Sequence, residues 1–146
     1  GAAERSYRLF VEELPPAQPT GSPGGAQVRM VVRFGAPVFV RALQPRRELA
    51  IDGLALAGGQ VRWVLRNTGN QHERVEQMLL RGLAADGTER FAQPLEARYL
   101  LAGRQRGFSI EVPAGTCRQL ARIELSVRTS HSTQDRRLDL PDSACP

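Results

Sequence analysis

The 146-residue sequence contains no lysine, so all twenty of its basic residues are arginine. It has two cysteines, two histidines and an aromatic share of only 5%. Each scarcity excludes something. Cys117 and Cys145, and likewise His72 and His131, lie too far apart to give metal-ligand spacing, so no metal site is expected. No apolar run approaches the ~20 residues that span a bilayer, so no membrane insertion is expected. The opening "GAAERSYRLF" lacks the apolar centre and cleavage pattern of a secretory signal peptide. There is no G-x-S-x-G, no P-loop and no Cys/His nucleophile arrangement. "GSPGGA" is rich in glycine, but it leads into a strand-like run and no lysine follows, which does not suit a phosphate. The adjacent Glu12 and Glu13 would point to opposite faces of a strand. The chain is therefore expected not to be an enzyme and to hold no cofactor.

The net charge is +5, but the arginines are scattered at alternating positions, without a cluster and with few aromatics between them. That pattern argues against nucleic acid and for a solvated surface, or for steering toward an acidic protein. The two cysteines read as one disulfide, which suits an oxidising compartment such as the periplasm. Two free buried thiols are the alternative. A disulfide closing this loop would contribute roughly 3 kcal/mol on the chain-entropy account.

What is present is period-two alternation in short runs between turn residues, the pattern of a β-sandwich; no helical period is sustained. "SYRLFVEEL" sets Tyr7, Leu9 and Val11 against Arg8, Phe10 and Glu12. "VRMVVRFGAPVFV", residues 28–40, sets Val28, Met30, Val32 and Phe34 against Arg29, Val31 and Arg33. The proline- and glycine-rich loop from Pro15 to Ala26 joins the two runs, which predicts a hairpin with a long connection. "RALQPRRE", 41–48, is polar and carries Pro45, and reads as an interdomain linker. From Leu49 to Leu140 about seven short strands follow, close to the ~100 residues of an immunoglobulin-like sandwich. Within them Trp63 is expected in the core, Asn67 to Asn70 in a turn, and Asp86-Gly87 at a hairpin. The fold class expected is all-β.

In order, "YRLFVEELPP", "VRMVVRFGAPVFVRA", "VRWVLRNTGNQHERV" and "YLLAGRQRGFSI" resemble the periplasmic chaperones of the chaperone–usher pilus pathway. The likeness is to the PapD-like superfamily, nearest its archaic, Csu-like branch, and spans nearly the whole chain. Three features carry it: "EELPP" leading into the next alternating strand, the "PVFV" run, and the N-x-GN-x-H turn ahead of an L-x-G segment. Such chaperones have two immunoglobulin-like domains. The resemblance therefore implies that residues 1–40 are the last two strands of the first domain, 41–48 the linker and 49–146 the second domain. The strands expected before them, and with them full activity, are then missing from this chain.

The function implied is donor-strand complementation. A pilin, an immunoglobulin-like fold lacking its final strand, borrows the chaperone's strand until an outer-membrane usher takes it over. By position, Val28, Met30, Val32 and Phe34 match the groove-filling residues. The competing reading turns Val28, Met30 and Val32 to the first domain's own core. The resemblance points to Arg8, with Arg33 as second choice, as the anchor for the pilin's terminal carboxylate; the planar guanidinium fork suits that role. A rival function is a structural or adhesive immunoglobulin-like module, such as a pilin or a fibronectin-like domain. A hairpin with an exposed apolar face is also expected to self-associate through the segment from Tyr7 to Val40.

Overall fold

The structure, a computed structural model, describes residues 2–14, 30–96, 99–141 and 144–145. It is all-β and divides into two compact units, one of residues 5–40 and one containing residues 1–4 and 41–146.

The larger unit is an immunoglobulin-like sandwich. One sheet takes β3 (Leu49–Ala57), β4 (Gln60–Asn67) and β8 (Gln105–Glu111) in the order β3-β4-β8. The other runs β10-β9-β5-β6, from β10 (Thr133–Asp139), β9 (Arg122–Thr129), β5 (Glu73–Leu83) and β6 (Glu89–Leu95). The two-residue β7 (Tyr99–Leu100) pairs with the start of β5. With the strands lettered from β3, three of them form A-B-E and four form G-F-C-C′, the immunoglobulin arrangement.

Alternation explains the core. Val61, Trp63 and Leu65 point inward from β4, and Ile123, Leu125 and Val127 from β9. Trp63 is buried as expected and stacks on Phe108 at 5.3 Å between ring centroids. On β5 the inward set is Val75, then Met78 and Leu80, a change of phase. A bulge between Val75 and Gln77 causes it, because one extra residue switches every later side chain to the opposite face. A second irregularity lies between Asp52 and Ala55 in β3, where Gly53 takes φ 64°. The chain bends at this glycine through a bulge. The hairpin expected at Asp86-Gly87 is present: Gly87 has φ 85° and its N–H donates to Ala84.

One helical turn was not anticipated, α1 (Ala114–Cys117). Four residues are too few to write a helical period into a sequence. It places the fully buried Cys117 where it forms a disulfide with Cys145, with 5.7 Å between Cα atoms. The free-thiol alternative is excluded. This bond ties α1 to the end of the chain, rather than crossing between the sheets as in antibody domains.

The smaller unit is a two-stranded antiparallel ribbon of β1 (Arg5–Glu12) and β2 (Arg33–Val40). The hairpin pairing expected between these runs is present. The second strand, however, begins at Arg33 and not near Val28: Met30, Val31 and Val32 precede it, and Val28 and Arg29 lie outside the described residues.

Candidate partner-binding ribbon

The register of the ribbon sets Arg5 opposite Val40, Tyr7 opposite Val38, Leu9 opposite Ala36 and Val11 opposite Phe34. Opposed residues share a face of a β-ladder. One face is therefore Tyr7, Leu9, Val11, Phe34, Ala36 and Val38, apolar throughout apart from Arg5 at its end. It is also uncovered, with Leu9 and Val11 each 57% exposed and Phe34 66%. Met30, 82% exposed, and Val32, 39% exposed, share the sequence phase of Phe34 but lie ahead of β2. Phe34 is thus the one groove-filling candidate that lies within a described strand; the position of Val28 falls outside the described residues.

The opposite face carries Ser6, Arg8, Phe10 and Glu12 from β1, with Arg33, Gly35, Pro37 and Phe39 from β2. Both candidate carboxylate anchors, Arg8 and Arg33, therefore share this face. Their cross-strand positions are four residues apart, about 13 Å along the ribbon. Phe10 sits between them. The Arg33 guanidinium lies over its ring at 4.4 Å from the centroid, within cation–π range. The same ring covers Gly35, where an added Cβ would sit 3.1 Å from Phe10 Cε1. The methylene stem of Arg8 flanks that spot at 3.5 Å. Neither arginine makes an ion pair among the described residues. Their charge is available to an anionic group approaching this face.

Sequence reasoning missed the role of the turn between β4 and β5, read only as a turn. In the sandwich unit it gathers the segment before β1 and the segment after β2. Asn70 accepts at its side-chain oxygen from Arg46 N–H, at 2.6 Å, and donates from its amide nitrogen to the carbonyls of Ala2 and Gln44, both at 2.9 Å. Its backbone N–H donates to Arg46, and its carbonyl accepts from Glu4. Residues 41–48, expected as a linker, are thus hydrogen-bonded to the sandwich through Arg46 and Glu48. Gly69 makes this approach possible, since a Cβ there would fall 2.4 Å from the Arg46 carbonyl oxygen. Asn67, fully buried, holds the turn's shape by donating to the Gln71 and Leu100 carbonyls and accepting from Gly69 N–H.

Beside the turn, the Glu4 carboxylate, itself nearly buried, accepts from His72 N–H at 3.0 Å and meets its Nδ1 at 2.8 Å. Tyr99 packs edge-on against the imidazole. The signal for this hub was the run Asn-Thr-Gly-Asn itself. Two asparagines around a glycine are more polar hydrogen-bonding capacity than a four-residue turn uses alone.

The outer face of the β10-β9-β5-β6 sheet is a charge ladder. Arg81 pairs with Glu124 at 2.8 Å, and Arg122 and Arg137 both reach Asp139. The hydrogen bond from Arg137, then that from Arg122, hold the Asp139 carboxyl below the usual carboxylate range. Here the arginines are spent on neighbouring carboxylates in a solvated surface, in keeping with the charge pattern of the sequence. No group of three or more candidate metal ligands occurs among the described residues.

The class that this fold and ribbon define is an all-β, immunoglobulin-like protein carrying a two-stranded ribbon with an uncovered apolar face. Compared with protein-family models and with curated proteins, the chain matches none.

Proposed function

We propose that the protein is a periplasmic chaperone of pilus assembly. It binds pilin subunits by donor-strand complementation and passes them to an outer-membrane usher. The observation that carries this reading is the ribbon, with its apolar row on one face and no strand beside the outer edge of β2 among the described residues. An isolated hairpin is marginal in water, so such a ribbon gains most by joining another sheet. A pilin groove supplies both needs, backbone partners along the edge and apolar contacts for alternate side chains. In this reading Met30, Val32 and Phe34, with Val28 before them, enter the groove. Arg8 or Arg33, on the other face, takes the terminal carboxylate. The disulfide supports an oxidising compartment. The same exposed face supports pairing with a second copy when no pilin is present.

The rival is a structural or adhesive immunoglobulin-like module, which the sandwich alone would serve. Size-exclusion chromatography of the chain mixed with a purified pilin subunit separates the two. Co-elution as a 1:1 complex, about the outcome expected of a standard strand-addition interface, is the chaperone result. Independent elution at micromolar concentration favours the module.

A further inference from the structure

The hydrogen-bond phase of the ribbon determines which backbone groups of β2 point away from β1. Glu13 N–H donates to the Val32 carbonyl at 3.0 Å, continuing the register in which Glu12 opposes Arg33. In an antiparallel ladder, opposed residues alternate between pairs that exchange both bonds and pairs that exchange neither. Counted from the pair of Glu13 and Val32, the bonded pairs are Val11 with Phe34, Leu9 with Ala36 and Tyr7 with Val38. The intervening residues of β2, Arg33, Gly35, Pro37 and Phe39, turn their backbone nitrogen and oxygen to the outer edge. Arg33 and Gly35 each present an N–H there. Pro37 has none, because its nitrogen is closed into the ring.

Phe10 braces the same two donor positions. Its ring lies over Gly35 and under the guanidinium of Arg33, so the usable stretch of edge is the stretch held by side-chain packing. Beyond it, the missing donor interrupts any ladder that tries to continue. Edge prolines act in this way generally, since an added strand loses a bond and meets the ring.

We propose that Pro37 is a stop that sets the register of the incoming strand. The partner pairs along the outer edge of β2 at Arg33 and Gly35 and along residues 30–32 ahead of them, and its ladder ends at position 37. The occupant is the open edge of an immunoglobulin-like pilin lacking one strand, so the inference rests on the function proposed above and deepens it. The stop confines donation to the side of β2 where Met30, Val32 and Phe34 lie. It keeps Phe39, the next residue of β2 in the outward-facing phase, out of the pairing, so a pilin cannot slide along the ribbon by a two-residue step.

The test is Pro37→Val, which restores an N–H at the edge and favours strand conformation. Complexes of the wild-type chain and of the variant with the same purified pilin subunit are compared by residue-resolved amide exchange and by dissociation rate. The expected result is protection of the Arg33 and Gly35 amides in both complexes. In the variant the amide introduced at position 37 is protected as well, and dissociation is about fivefold slower, in line with an added ladder bond. If Arg33 and Gly35 are protected but the new amide exchanges freely and dissociation is unchanged, the stop is overturned while strand addition stands. If Arg33 and Gly35 are unprotected in the wild-type complex, strand addition at this edge is itself overturned, and the stop with it.

Discussion

Met30→Glu combined with Val32→Glu is expected to abolish co-purification of pilin with this chain while leaving its thermal unfolding unchanged. Seating an apolar side chain in a groove is worth ~1.5–3 kcal/mol, and a carboxylate placed there must also be desolvated or neutralised. Two such losses weaken binding by at least about a hundredfold, since each 1.4 kcal/mol or so is tenfold. The fold does not depend on either residue: both precede β2 and are at least partly open to solvent, Met30 by 82%. The double variant therefore separates binding from stability. Each version is purified with a tagged pilin subunit, and the recovered ratio is compared beside a thermal melt. Undiminished recovery would place the groove-filling residues elsewhere.

The second large effect is on the sandwich. Breaking the disulfide between Cys117 and Cys145, by reduction or by Cys145→Ala, is expected to cost roughly 3 kcal/mol and to lower Tm by about 10–20 °C. The bridge joins residues 28 apart in sequence, and its first cysteine is fully buried within the core cluster. Its loss frees the end of the chain beyond β10, including Leu140, which packs against that core. Thermal unfolding with and without a reducing agent measures the shift. Both treatments remove the same cross-link, so the reduced wild-type chain and Cys145→Ala should both melt well below the oxidised protein. A shift of only a degree or two would mean that packing alone holds α1 in place.

The sandwich was legible because its strands obey the rule that alternate side chains face one core. Trp63 flanked by Val61 and Leu65 declares its face within five residues, and Asp86-Gly87 declares its turn within two. Phase changes were not legible. Val75 and Met78 both face inward only because a bulge separates them, and a bulge is a property of two strands rather than one. The start of β2 is not legible for a related reason: "VRMVVRF" alternates from Val28 onward, but alternation does not say where a partner strand begins. The Asn70 hub depends on backbone groups 24 and 68 residues away; the spare polar capacity of the turn marks that partners exist, but not which segments supply them.

Of the candidate site, alternation sets the apolar residues and the two arginines on opposite sides of each strand, and the ribbon's register then joins the rows of the two strands into one apolar and one arginine-bearing face. The role of Pro37 needed the ladder's hydrogen-bond phase. A proline in a strand announces an edge, but only the bond from Glu13 to Val32 tells which edge its missing donor faces.

The central claim is that the outer edge of β2 takes up a strand from a pilin. Its most direct test is amide exchange of the wild-type chain with and without a purified pilin subunit, read residue by residue. The claim predicts that Arg33 and Gly35 slow by at least about tenfold on binding, as newly hydrogen-bonded amides do, while amides inside the sandwich keep their rates. Unchanged exchange at both residues, in a sample where the complex has formed, would contradict it.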